Sequence, residues 1–493
     1  MQLDTSRFFS DRLTIDPNDK DKFQVANSLW DWCLRIISWI WSPSCYSDEN
    51  RRTVACFKNY LIDALGVDRL QRICSRYSVN LEKMERQGSP LLSRDVAKIV
   101  IGAKCVTVED INEHIRRRQA ANDPRFVGKN SFLDLDSDTL SEVQSSLSQI
   151  FQNQWEVASI SRKISGRPTE WLSRFYFDPF LADRERLKLV EDHPFDSFES
   201  FIHNMVARVI KRDMNVGSLI PAPNHPDGRH QFYYVSARVV SGKGMVSYLL
   251  HPATQDTNLE PIRLFRGTSP RNSDLDALST VITDLEKDLG RTAYESGLIY
   301  DQIIRERLVE PKVEGGHSLG STLVQYRVAN LQHIQKAFLF CGPGLPEKEV
   351  EKFNLQNRAV HLIIRQVIND WTAVGDAHLG YQAPPIVQVD FSIYHGPKKN
   401  DGQDPHVAIY SKEPHLYEVE KVASAEKRDL QLHHKFKTTE RVRSFIGPLV
   451  ALILRSLRKF IRYFTHSRIR FEKGIKIGAM FQGRWQVDHF KPI

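Results

Sequence analysis

Between Leu29 and Ser42 the polar positions Asp31, Arg35, Ser38 and Ser42 recur at steps of four, three and four. On a helix this spacing makes one stripe, opposite a broad face of Trp30, Trp32, Trp39 and Trp41 interleaved with Leu34, Ile36, Ile37 and Ile40. Such a face either docks on the protein's own core or lies in a membrane interface, where tryptophan keeps an apolar body and a wet N–H. From Arg51 to Gln119, Tyr60, Leu61, Ala64, Leu65, Leu70, Ile73 and Tyr77 fall at helical spacing and predict a small helical domain. Ala120 to Ser148 is rich in Asn, Asp and Ser and reads as a linker. Helical character returns from Gln152 to Met214 around Trp155, Trp171, Phe175, Phe201 and Val206.

At about Gly217 the pattern changes to strands. Gln231 to Val240 and Val246 to Leu250, joined by a turn with Gly242 and Gly244, predict a β-hairpin, and Ile262 to Phe265 a further strand. Beyond it Asn272 to Glu310 is largely helical, Leu319 to Ala329 is a helix and Lys336 to Phe340 a short apolar strand. Val360 to Asp370 has strand or short-helix spacing, and Ile386 to Tyr394 and Val407 to Tyr410 read as late strands. Such alternation predicts an α/β sheet with helices on both faces. The expected divisions are an N-terminal segment with the Trp-rich helix (1–48), a helical domain (49–120), a linker (121–150), a helical region packing on the next domain (151–216), an α/β domain (217–440) and a basic amphipathic C-terminal segment (441–493).

Composition narrows the class without naming it. A chain of 493 residues suits two or three domains, and 41% hydrophobic against 26% charged residues excludes a disordered chain. The six cysteines include no C-x-x-C pair and no close histidine, so neither a disulfide framework nor a metal is expected, and a reducing cytosol fits. Met1 to Lys22 lacks the order of a Sec signal peptide, which leaves signal-independent secretion open. No uncharged apolar run reaches the ~18 residues of a spanning helix. The net charge of +8 concentrates near the C-terminus, where Arg455, Arg458, Lys459 and Arg462 form one helical stripe that Arg468, Arg470 and Lys473 extend. That stripe suits an anionic membrane surface, or is the solvated face of a core-packing helix. Nucleic acid is not expected, because no helix-turn-helix, RNP or zinc pattern accompanies the charge.

One constellation carries chemistry. Gly316-His317-Ser318-Leu319-Gly320 fits the G-x-S-x-G elbow, in which a sharp strand-to-helix turn presents a serine hydroxyl. The helix that follows is well patterned, whereas Pro311 to Gly315 before it offers little apolar run. Ile262-Arg-Leu-Phe-Arg-Gly-Thr268 resembles the Phe-Arg-Gly-Thr/Ser strand end of the class 3 lipases and precedes the elbow, as in that family. Ala337-Phe-Leu-Phe-Cys-Gly-Pro-Gly344 is similar to the family's next strand and loop, and Val374-Gly-Asp-Ala377 falls where the family places its acid. The resemblance covers about Gln231 to Lys437.

It implies an α/β-hydrolase domain with an N-terminal helical region and a C-terminal amphipathic helix. It further implies a serine esterase acting on a lipid or small ester, cytoplasmic or peripheral to a membrane, with no cofactor and no metal. Ser318 would be the nucleophile, Asp376 the acid, and Thr268 and Leu319 the oxyanion donors. The histidine would be His433 or His434, ahead of Phe436, with His415 and the more distant His406 as competitors. Ser321 stands where the family has a second glycine, and Asp376-Ala-His-Leu379 replaces its Asp-Ile-Val-Pro, which keeps Asp370 open as the acid. The alternative is a catalytically inactive hydrolase fold serving as a membrane or protein interaction module.

Overall fold

The computed structural model describes residues 12–16, 19–26, 43–76, 79–92, 95–96, 99, 102–103, 106–158, 164–165, 198–210, 214, 216–241, 243–268, 283–284, 288–367, 378–380, 383–395, 418–421, 450, 452, 474–481 and 484–490. The chain divides into two compact units, Met1–His114 with Ser141–Glu185, and Ile115–Leu140 with Arg186–Ile493.

In the first unit β1 (Arg12–Asp16) and β2 (Asp19–Ala26) form an antiparallel pair, to which a two-residue strand β3 (Ile164–Ser165) adds in parallel. Helices α1 (Pro43–Leu65), α2 (Val67–Arg76) and α3 (Leu81–Gln87) bear out the expected helical character. Leu13 and Phe23 share a core with Val54, Phe57 and Leu61 of α1 and with Leu70 and Ile73 of α2. The strands were not expected, because the alternation of Arg12 to Asp16 spans only five residues and Asp19, Lys20, Asp21 and Lys22 mask that of β2, which begins at Phe23.

Two helices follow, α4 (Val108–Ala120) and α5 (Ser137–Ala158). Residues 121–150, expected as a linker, instead hold two 3-10 turns, Pro124–Phe126 and Phe132–Asp134, and the first half of α5. Asp and Ser residues that suggested a linker act as caps. The Asp123 side chain accepts from Arg125 N–H, Ser131 and Asp134 form a reciprocal capping box, and Asp136 accepts from Thr139 N–H at 2.7 Å.

Among the described residues, the second unit is built on an eleven-stranded sheet. Helix α6 (Phe198–Asn204) leads to β4 (Leu219–Ala222), β5 (Gln231–Val240), β6 (Val246–Pro252) and β7 (Ile262–Phe265). Then come α7 (Arg291–Arg307), β8 (Val313–His317), α8 (Leu319–Asn330), β9 (Lys336–Phe340), α9 (Glu347–Asn354), β10 (His361–Val367), β11 (Gln388–His395), β12 (Glu418–Lys421), β13 (Gly474–Phe481) and β14 (Arg484–Phe490). The sheet order is β12-β11-β10-β9-β8-β7-β6-β5-β13-β14, with β4 also on β5. Strands β7 to β11 run parallel, and antiparallel pairs extend the sheet at both sides. This is the α/β class expected, and β7 and β9 begin and end at the expected residues.

The C-terminal segment 441–493 needs correction. Its last part joins the sheet of the α/β domain expected to end at 440: β13 pairs with β5 and carries β14 along as an antiparallel hairpin. The Trp-rich helix, the basic stripe and the expected strand at Val407 to Tyr410 lie outside the described residues.

Helices cover both faces of the parallel strands, and β8 is cut to receive them. A Cβ on Gly315 would stand 2.7 Å from Ile202 of α6, whereas one on Gly316 would collide with the Gly320 carbonyl of α8. Neighbouring strand residues point to opposite faces, so the two glycines admit one helix each. Leu323 and Val324 of α8 and Ala293 and Ile304 of α7 then share one core with Phe265, Leu339 and Ile364 of the sheet.

Candidate active site

The strand leading into Ser318 looks too polar to be buried, yet β8 is buried at all five positions. Glu314 is neutralised by Arg327 of α8, whose Nε lies 2.9 and 3.0 Å from the two carboxylate oxygens. Arg327 Nη1 also meets Asp301 of α7 at 2.5 Å, and Asp301 in turn receives Arg263 Nη1 of β7 at 2.6 Å. All four side chains are at most 2% exposed. Burial alone would raise the Asp301 carboxyl, but the Arg327 and Arg263 charges beside it win and hold it at about 2. Two cations and two anions thus tie the strand and helix that flank Ser318 to β7 and α7.

Ser318 follows β8 with φ 57° and ψ −131°. L-residues rarely occupy this region, at a cost on the order of 1–3 kcal/mol. Its N–H still joins the sheet, donating to the Phe340 carbonyl at 3.0 Å, and α8 begins at the next residue. Serine at a helix start ordinarily caps it with the hydroxyl, but Ser318 makes no capping hydrogen bond. Its Oγ is therefore not engaged by the helix. The first N–H groups of α8, Leu319 among them, have no intrahelical acceptor and carry the positive end of the helix dipole.

The end of β7 runs directly against this turn. A Cβ on Gly267 would lie 3.2 Å from Ser318 Cβ and 2.5 Å from the His317 carbonyl oxygen, and one on Gly320 would collide with the Phe265 carbonyl. Phe265 to Gly267 and the elbow, joined in sequence only by motif order, are thus in contact. Thr268 donates its hydroxyl proton to the Asp284 carboxylate. Any donation from Thr268 to a third group then falls to its backbone N–H. Asp284 was not among the sequence candidates; it follows Thr268 by sixteen residues with no motif to mark it.

Asp376, His433 and His434 lie outside the described residues, as do the competitors His415, His406 and Asp370. The described residue nearest Asp376 in the chain is His378, buried, with Nε2 2.9 Å from the Gly342 carbonyl at the end of β9. One further histidine, which sequence reading did not single out, is placed by topology. His395 ends β11, whose parallel alignment with β10, β9 and β8 brings it to the sheet edge where β8 delivers Ser318. Its backbone pairs with Glu418 of β12.

A serine hydroxyl set between helix N–H groups and a strand end can attack an electrophilic carbon and stabilise the resulting oxyanion once an imidazole takes its proton. Among the described residues no three His, Cys, Asp or Glu side chains gather as a metal site, and no helix is long and apolar enough to cross a membrane. Compared with protein-family models, curated proteins and solved structures, the chain matches none.

Proposed function

We propose that the second unit is a serine hydrolase of the α/β-hydrolase fold, akin to the class 3 lipases, that cleaves carboxylic ester bonds of lipids or small esters through an acyl-enzyme. The observation that carries this reading is the backbone of Ser318: a strained turn between a parallel strand and a helix, with Gly267 packed against it. Ser318 Oγ attacks the acyl carbon, and the oxyanion accepts from the backbone N–H groups of Leu319 and Thr268. The histidine takes the serine proton and gives it to the departing alcohol; water then enters by the same route and releases the acid. Asp376 orients the imidazole, and the anchoring of His378 beside the nucleophile's edge of the sheet supports that choice of acid. The imidazole comes from His433 or His434, or from His395 at the end of β11. No cofactor or metal takes part. The basic stripe from Arg455 to Arg462 brings the enzyme to an anionic membrane surface.

The test compares the purified protein with Ser318→Ala. A fluorescent alkyl phosphonate should label the wild type covalently, and ester hydrolysis across chain lengths and on phospholipid vesicles should fall roughly a thousandfold or more in the variant. Equal activity in both would refute the serine mechanism. A folded wild type that neither labels nor hydrolyses would make the domain an interaction scaffold instead.

A further inference from the structure

Ser318 is not the only strained residue at this edge of the sheet. Cys341, the residue after β9, has φ 44°, and its N–H joins the Arg365 carbonyl at 2.9 Å. The next two carbonyls are held unusually fully. Gly342 O accepts from Gln366 Nε2 at 3.0 Å and from His378 Nε2 at 2.9 Å. Pro343 O accepts from Thr322 Oγ1 at 3.0 Å and Gln325 Nε2 at 2.8 Å, both on α8. Gln325 also closes the ring, its Oε1 accepting from Leu379 N–H at 3.2 Å. All four donor side chains are buried.

This clamped turn presses on the nucleophile's own helix. A Cβ on Gly342 would collide with Ser321 Oγ and lie 3.5 Å from the Ser318 carbonyl oxygen. A strained conformation persists only where its surroundings over-determine it. The Ser318 N–H is fixed from β9 through Phe340, and the far side of its first helical turn is fixed by Gly342. We infer that His378 and Gln325 are positioning residues for Ser318: by pinning the Gly342–Pro343 turn they hold the elbow in the geometry from which Oγ attacks. The inference rests on the proposed serine chemistry. His378, like Gln366 of β10, pins Gly342 from outside the nucleophile's strand and helix, and the carbonyl takes the imidazole's bond only from a protonated Nε2.

The experiment compares His378→Gln, His378→Leu and Gln325→Met in the full chain. Readouts are kcat, KM, the rate of phosphonate labelling and the thermal midpoint, all taken well below that midpoint. A glutamine amide can stand where Nε2 stands, whereas leucine fills the space without donating. The expected outcome is a ten- to hundredfold loss of kcat and of labelling rate in His378→Leu and Gln325→Met, as for a nucleophile displaced by a fraction of an ångström. KM should stay within about twofold, and His378→Gln should recover most of the loss. Unchanged kcat and labelling in His378→Leu, or the same loss in His378→Gln as in His378→Leu, would overturn the inference. If His378→Leu does not fold, the comparison of His378→Gln with His378→Asn decides, because asparagine is too short to reach Gly342; equal rates in those two also overturn it. Ser318→Ala keeps the two failures apart. Loss of labelling there with no effect at His378 or Gln325 sinks the positioning role alone, whereas labelling that survives Ser318→Ala sinks the serine reading and this inference with it.

Discussion

Replacing Arg327 by methionine tests how firmly the elbow depends on the buried charges beneath it. In the wild type Arg263 and Arg327 balance Asp301 and Glu314, with none more than 2% exposed. Methionine keeps much of the arginine stem's volume but leaves one cation against two carboxylates, out of reach of water. Breaking a buried pair in this way costs roughly 3–5 kcal/mol, a large share of the 5–15 kcal/mol typical of a folded domain. The assay is guanidinium unfolding of both proteins at several pH values. In the wild type Asp301 titrates at about 2, below its unfolded value of roughly 3.9, so its stabilisation is complete above that value and is lost as pH falls toward 2. Without Arg327 the carboxyl loses its main depressing charge and burial drives it upward, so acid protonates it in the folded state and relieves the variant. The deficit should therefore shrink from pH 7 to pH 4. A deficit of the same size at every pH would mean that packing, not charge, sets the cost. Arg327→Met combined with Glu314→Leu should recover most of the loss, since a neutralised buried site can match an ion pair.

Ser318→Gly should be more stable than Ser318→Ala by about 1 kcal/mol, because glycine alone relaxes at φ 57° and ψ −131° while alanine keeps the strain; equal midpoints would remove strain from the account of the elbow. Burial lowers His251 and pushes His333 down to about 4, with the Arg327 charge adding to the effect at His333. His333 thus stays neutral in the fold while the unfolded chain protonates near 6.5, so the stability it confers is present above that pH and is lost as pH falls toward 4; His251 acts in the same direction. The thermal midpoint should drop between pH 7 and pH 5, less steeply in His333→Gln; an unchanged slope in that variant would exonerate His333. Of His395→Asn, His433→Asn and His434→Asn, one should lower kcat roughly 10⁴-fold or more with the fold intact. If all three stay within tenfold of wild type, the triad histidine is none of them, and His415 and His406 are next.

Elements whose burial is apolar were legible down to the residue. Lys336–Phe340 carries a hydrophobic run that needs no tertiary partner to explain it, and Ile262–Phe265 is apolar at every position but Arg263, which Asp301 neutralises. β8 failed the same test because its residues answer to other elements: Glu314 to Arg327, Gly315 to Ile202, Gly316 to Gly320. A periodicity rule counts apolar side chains, and here ion pairing and absent side chains bury the strand instead. The β13 hairpin shows the opposite failure. Ile475, Ile477 and Ala479, then Trp485 and Val487, alternate as a strand pair should, but the basic stripe upstream set the whole of 441–493 apart as a basic amphipathic segment. The misread linker was a matter of role, since Asp and Ser mark helix starts as readily as loops. For the site, the order of the motifs set the Phe265-to-Thr268 strand end ahead of Ser318, and the structure ends both segments on adjacent parallel strands, with Gly267 against Ser318. Asp284, His378 and Gln325 were invisible for the converse reason. Each acts on a backbone carbonyl, an amide N–H or a hydroxyl supplied by a distant turn, and no pattern within a single segment records which group a buried polar side chain will meet.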